Sequence, residues 1–317
     1  MCDLTNPIFT DVDAAREHLE SVVWPDGPVC PHCGCVDQIS KVEGRKKSHR
    51  PGLYYCNDCG GQFTVTVGTL YERSKVPLNK WLLATHLMAS SKKGISAHQI
   101  HRQLGVTYKT AWFMCHRIRE GMRDDAPSAL GGGGKVVEAD ETYQGRIETP
   151  RTKTTSGRPF IKSGKAAQKR PIVSLVERGG RVRSFHVAVA NKASVTEIVR
   201  SNVSRETRLH TDESNLYKGS DEHFASHETV RHTAKEWARG DVNTNTVEGY
   251  FSIFKRGMKG VYQHCKEKHL HRYLAEFDFR YNNRTALGVN DAQRALKALE
   301  GIKGKRLTYR RTYEANA

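Results

Sequence analysis

Apolar positions in this chain recur mainly at helical spacing up to about residue 122; beyond a glycine run, strand-like and helix-like stretches alternate. Residues 10–24 predict a short amphipathic helix, opened by Thr10 with Asp13 three positions on and closed by Pro25-Asp26-Gly27. Phe63, Val65 and Val67 alternate with Gln62, Thr64 and Thr66, the pattern of a half-buried strand. A helix from about Leu78 to Ser91 follows Pro77 and includes Trp81, Leu82, His86 and Met88. Ser96-Ala97-His98-Gln99 reads as a capping box for a short helix holding Ile100 and Leu104, which Gly105 ends. Thr107 caps a further helix to about Met122, where Ala111, Cys115, Ile118 and Met122 make one buried stripe. Short helix, glycine turn, second helix is the helix-turn-helix pattern.

Ala126-Pro127-Ser128 and Gly131 to Gly134 form a linker. After it come strands around Val136 to Asp140, Ile172 to Val176 and Val182 to Val189, the last two joined as a hairpin by Gly179-Gly180. A helix over 194–204, strands over 207–212 and 227–232, and helices from about Thr246 to Lys259 and Lys266 to Tyr281 complete an α/β plan with a mixed sheet.

Composition narrows the partners. The 317 residues suffice for two or three domains, and 37% apolar content suffices for a core. A net charge of +17 draws the chain to polyanions, nucleic acid first and an anionic membrane surface second. No apolar run has the roughly 18 residues of a membrane span, and the N-terminus has no secretory h-region, so a cytoplasmic, nucleoid-associated protein with reduced thiols is expected.

Four of the eight cysteines stand as Cys30-x2-Cys33 and Cys56-x2-Cys59, each followed by glycine, with 22 residues between the pairs. This spacing predicts a zinc ribbon holding one structural Zn²⁺. His32, Cys35 and His49 are available competitors, but the paired cysteines already fill four positions. Lys41, Arg45, Lys46, Lys47 and Arg50 add charge suited to DNA backbone contact or to a solvated loop. In the helix-turn-helix, the start of the second helix enters the major groove. Tyr108, Lys109, Thr110, Phe113, His116 and Arg117 lie off the core stripe and are the candidates to face double-stranded DNA; an ordinary helical hairpin is the plainer reading.

Three acids occupy distinctive places. Asp140 lies in the first strand of the α/β region, Asp212 ends a later strand, and Glu248 opens a helix 35 intervening residues further on. Hard divalent cations prefer carboxylate oxygen, and two ions roughly 3.5–4 Å apart can serve phosphodiester transfer. Glu248, Ser252, Lys255 and Lys259 project from one side of their helix, placing a carboxylate and phosphate-binding lysines toward one groove. Each acid also has an ordinary reading: strand-end acids for Asp140 and Asp212, and for Glu248 a capping box with Asn245 as N-cap.

With the zinc ribbon and helix-turn-helix before them, the segments EADETY, HTDES, NTNTVEGYFSIFKRGMKGVYQH and YLAEFDFRYNNR resemble the ISXO-like insertion-sequence transposases, from about Cys30 to Arg284. The resemblance implies a ribonuclease-H-like DDE domain that binds inverted-repeat ends and performs cleavage and strand transfer with two Mg²⁺ (or Mn²⁺) ions. It implies Asp140, Asp212 and Glu248 as metal ligands and Lys255 as a DNA contact, with Asn245 as an alternative third participant because some relatives carry asparagine there. It also implies a homodimer or higher homo-oligomer, since two ends must be paired.

The expected domains are a helix and ribbon over 1–68, a helix-turn-helix over 69–128, a linker over 129–134, a catalytic domain over 135–290 and a basic tail over 291–317. A covalent route would need Tyr143, Tyr250 or Tyr262 as nucleophile. Eight basic residues and one acid, Glu148, lie between Gly145 and Pro171 and are expected either to grip phosphates or to form a disordered surface excursion; Lys303, Lys305, Arg306, Arg310 and Arg311 admit the same pair of readings. The competing functions are a ribonuclease-H-like nuclease without strand transfer and a zinc-ribbon DNA-binding regulator. Joining of pre-cut ends separates the first, and metal-dependent nicking the second.

Overall fold

The computed structural model describes residues 4–43, 49–148, 152–160 and 169–308. Arg45, Lys46, Lys47, Arg151, Lys162, Lys165, Arg310 and Arg311, all assigned to basic segments above, lie outside them. The chain divides into two compact units, one formed by Met1–Arg123 with Gly288–Ala317 and the other by Asp124–Leu287.

The first unit begins with helices α1 (Pro7–Thr10) and α2 (Val12–Val23). Asp11, not Thr10, caps α2, accepting the Ala14 amide at 2.7 Å; proline at the start of α1 draws Thr10 into that shorter helix. Strands β1 (Ile39–Lys41), β2 (Tyr54–Cys56) and β3 (Gln62–Phe63) form an antiparallel sheet. β3 is shorter than the alternation predicts: residues 65–68 turn instead of extending. Trp24 at the end of α2 packs edge-on against Tyr54 and Phe63, with ring centroids 5.3 and 5.7 Å away.

Helices α3 (Leu78–Ser90), α4 (Ala97–Leu104) and α5 (Tyr108–Gly121) follow. Ser96 accepts the Gln99 amide at 3.1 Å and Thr107 the Thr110 amide at 3.2 Å, while Gly105 turns the chain at φ +60°. The stripe of Ala111, Cys115, Ile118 and Met122 is buried as its spacing requires. Residues 291–317, expected as a basic tail, begin with a helix, Asp291–Glu300. Asn290 and Gln293 form a reciprocal capping box, Ala295, Ala298 and Leu299 are buried, and Arg294 donates to the Ala89 carbonyl at 3.2 Å. Lys303 and Lys305 donate to backbone carbonyls of Val23 and of Glu120 and Arg123.

The second unit is built on β4 (Val136–Arg146), the short pair β5 (Thr152–Lys153) and β6 (Pro159–Phe160), β7 (Lys169–Glu177), β8 (Val182–His186), α6 (Lys192–Asn202), β9 (Arg208–Asp212), β10 (Ser226–Val230), the hairpin β11 (Ala238–Arg239) and β12 (Val242–Asn243), α7 (Asn245–Gly257) and α8 (Leu270–Asn282). Five strands make one mixed sheet in the order β10-β9-β4-β7-β8. β4, β7 and β8 are antiparallel neighbours, and β4, β9 and β10 run parallel. Period-two alternation sorts the side chains. Val137, Ala139, Val173, Leu175 and Leu209 pack with Val195 and Val199 of α6, whereas Ile172, Val176 and Val182 pack with Val247, Phe251 and Phe254 of α7 and Leu274 and Phe277 of α8. This is the expected ribonuclease-H-like core, a mixed sheet with helices on both faces. Among the described residues no helix is long and apolar enough to cross a membrane.

Candidate active site and metal centres

The two Cys-x2-Cys turns bring Cys30, Cys33, Cys56 and Cys59 together, their sulfurs all within 4.8 Å of one another. Cys30 Sγ lies 3.7 Å from Cys59 Sγ, and Cys33 Sγ 3.6 Å from Cys56 Sγ. Zn–S bonds of about 2.3 Å at tetrahedral angles place sulfurs about 3.8 Å apart, so these thiols fit a zinc ion. Gly34 and Gly60 close the turns at φ +81° and +69°, conformations that favour glycine.

The second cluster sits where β4 and β9 run side by side. Their parallel register pairs Val136 with Arg208 and ends with Glu138 opposite His210; two residues past that last pair on each strand stand Asp140 and Asp212. Carboxylate oxygens of Asp140, Glu141 and Asp212 lie within 4.8 Å of one another. Burial, then the neighbouring charges of Asp212 and Glu141, push the Asp140 carboxyl up to about 8. Burial and Asp212 raise Glu141 as well. Three crowded oxygen donors, of which Asp140 and Glu141 resist ionising, are suited to a hard divalent cation, which supplies the missing charge. Tyr217, buried under the sheet, donates its hydroxyl to Glu141 at 3.1 Å, and Asp212 accepts the Ser214 amide at 3.1 Å.

The domains carrying these clusters have relatives. Residues 130–282 match the ISXO2-like transposase domain, and residues 11–62 match the transposase zinc-ribbon domain, together more than half of the chain. The chain belongs to the ISXO2-like transposases. A relative from Halobacterium salinarum, described as an uncharacterized protein in transposable element ISH50, is 29% identical over 284 residues, covering 86% of this chain and 92% of the relative. Among solved structures, a pre-cleavage Mos1 transpososome aligns at 10% identity over 66% of this chain and 71% of that one, with a TM-score of 0.27. The Mos1 strand transfer complex aligns at 10% identity over 64% and 76%, with a TM-score of 0.23. Both structural alignments are loose.

In this ISXO2-like domain, α7 carries the remaining predicted residues. Glu248, Ser252, Lys255 and Lys259 are all exposed, as the helical spacing requires. Glu248 is not part of the close trio; its Oε1 accepts the Thr244 hydroxyl at 3.1 Å and lies 3.8 Å from His232 Nε2. Its charge still contributes to the upward push on Asp140. Asn245 is the first residue of α7 and donates its amide to Asn243 Oδ1 at 3.2 Å, so the capping box with Asn245 as N-cap does not form. Lys255 Nζ lies 5.8 Å from the Phe251 ring centroid.

The helix-turn-helix candidates divide. Tyr108 is exposed and stacks on His98 of α4 with centroids 4.2 Å apart; Lys109 is exposed, and Thr110 and Phe113 half-buried. His116, expected to face outward, is 2% exposed, because the buried surface of α5 is wider than its apolar stripe and also takes in Met114 and Arg119. Arg117 is held inward: its guanidinium covers Phe113 and donates to the carbonyls of Leu307 and Glu72 at 3.2 and 3.1 Å. Glu141 was not among the sequence candidates, although it stands next to Asp140 in EADETY. Its one sequence signal was that doubled acid.

Proposed function

We propose that this chain is the transposase of an insertion sequence, which binds the inverted-repeat ends of its element in double-stranded DNA and carries out metal-dependent strand cleavage and strand transfer. The observation that carries this reading is the convergence of Asp140, Glu141 and Asp212 from adjacent strands of an ISXO2-like transposase domain. Asp140 and Asp212 hold Mg²⁺ or Mn²⁺, two ions in the working arrangement, with Glu248 as third ligand or Asn245 in its place. Divalent cations bound there activate the attacking oxygen and stabilise the leaving one. Lys255, on the same side of α7 as Glu248, contacts DNA phosphate. Cys30, Cys33, Cys56 and Cys59 hold one structural Zn²⁺, and Tyr108, Lys109 and Thr110 at the start of α5 read the element ends.

Of the three tyrosines a covalent protein–DNA intermediate could use, Tyr143 is exposed on β4 near the acids and the other two are turned inward. Tyr250 is buried and donates to Asp278 at 2.5 Å, and Tyr262 donates to Glu276, so both are engaged in the core. A homodimer or larger assembly on DNA follows from the need to hold two ends.

The test is a pair of assays on labelled element ends with Mg²⁺: cleavage, and joining of pre-cut ends to a target plasmid. Asp140→Asn and Asp212→Asn should abolish both while leaving end binding largely intact. Cleavage that survives either change rejects the assignment, and cleavage without joining identifies a nuclease.

A further inference from the structure

The first turn of α7 is capped from another strand. Thr244 occupies the N-cap position but its side chain makes no cap hydrogen bond. The amides that such a cap serves, those of Thr246 and Val247, donate instead to Glu138 Oε2 of β4, at 2.7 and 3.0 Å. Oε1 of the same carboxylate accepts the Thr246 hydroxyl at 2.8 Å and two nitrogens of Arg178 at 3.0 and 2.8 Å. Arg178 also donates to the carbonyls of Asp241 and Asn243, the segment leading into α7, at 2.9 and 3.2 Å. Glu138 is fully buried, so all of its capacity is spent on these five donors and none is left for a cation.

We propose that Glu138 and Arg178 are positioning residues that fix the start of α7, and with it Glu248, against the Asp140–Asp212 pair. Glu138 and Asp140 are two residues apart on β4 and share a face of the sheet. One strand therefore carries a member of the acid cluster and the anchor of the helix that brings Glu248. A carboxylate at a helix N-terminus also matches the partial positive charge there. Both hydrogen bonds to α7 amides precede Glu248 by only one or two residues, so a loosened anchor moves that side chain before it disturbs the rest of the helix. The inference rests on the metal-dependent reading above.

The experiment measures Mn²⁺ affinity of the full chain by titration calorimetry for wild type, Glu138→Gln, Glu248→Gln and the double variant. Loss of an outer residue that orients a ligand lowers metal affinity about 10–100-fold. Glu138→Gln should show a loss of that order alone and add nothing once Glu248 is Gln. An unchanged affinity in Glu138→Gln overturns the proposal. So does an equal loss in both backgrounds, which is the signature of general loosening. If Glu138→Gln does not fold, Arg178→Lys, which keeps the charge and loses the two-pronged contact, is read in the same cycle with the same criteria. Failure of the functional reading itself would appear separately, as Asp140→Asn binding Mn²⁺ as tightly as wild type.

Discussion

The Tyr217 hydroxyl reaches Glu141 Oε2 at 3.1 Å and holds it from the α6 side of the sheet, whereas Asp140 belongs to the α7 side. Neighbouring residues on a strand point to opposite faces, yet these two carboxylates come within 4.8 Å. The last β4–β9 pair is Glu138 with His210, so Glu141 lies past the paired segment, where its carboxylate has room to turn toward Asp212. If Glu141 shares the cation, Glu141→Gln and Tyr217→Phe should each lower Mn²⁺ affinity, the tyrosine change by about tenfold. Calorimetric titration that finds both variants at wild-type affinity removes Glu141 from the site.

Cys56→Ser should reduce zinc content, measured by atomic emission, from one ion per chain to almost none. Structural zinc contributes directly to folding of small metal domains. Because Trp24 packs on Tyr54 and Phe63 beside the cluster, its fluorescence should shift toward that of solvated indole in the variant or after chelation. Unchanged emission with zinc removed would mean that the ribbon packs without the ion.

Asp278 on α8 accepts the Ser184 amide and hydroxyl, both at 2.8 Å, and the Tyr250 hydroxyl, tying β8 to α7 and α8. Burial pushes its carboxyl up to about 6, above the roughly 3.9 of an unfolded aspartate. The folded state thus favours the protonated form. Its contribution is complete below pH about 4 and is lost as pH rises through about 6, an effect of roughly 2–3 kcal/mol. Asp278→Asn should flatten the stability profile of the second unit between those pH values, read from denaturant midpoints. A profile equal to wild type would assign the pH dependence to other groups.

Exposed and buried positions of α5 should separate cleanly in DNA binding. Lys109→Ala is expected to weaken end binding and reduce the slope of log affinity against log salt by about 1. His116→Ala should leave that slope alone and cost about 1–3 kcal/mol in stability, since the ring is 2% exposed. A salt slope that responds to His116 and not to Lys109 would place the contact surface elsewhere.

Features set by local spacing were legible before the structure. The Cys-x2-Cys turns, the Ser96 and Thr107 caps, the stripe on α5 and the exposed row from Glu248 to Lys259 all follow from residues a few positions apart. Asp140 and Asp212 were legible because both lie at strand positions, and strand register does the rest. Features made by distant partners were not. Glu138 caps a helix 108 residues away in sequence, and the N-x-x-E pattern beginning at Asn245 offered a local substitute that does not form. Glu141 was hidden by strict alternation, which assigns it to the opposite face. The helix at 291–300 was obscured by the basic residues that follow it, although Asn290 and Gln293 spelled its capping box.

The first unit is assembled from two segments that the sheet domain separates in sequence: the Leu70 amide donates to the Ile302 carbonyl, and Arg294 reaches the Ala89 carbonyl. During synthesis the opening segment therefore leaves the ribosome without the helix that completes its packing, and must wait while the whole intervening sheet domain is translated. A nascent protein of this design cannot complete its first unit until the helix Asp291–Glu300 has been made, so a ribosome that stops before it yields a sheet domain with an unfinished companion.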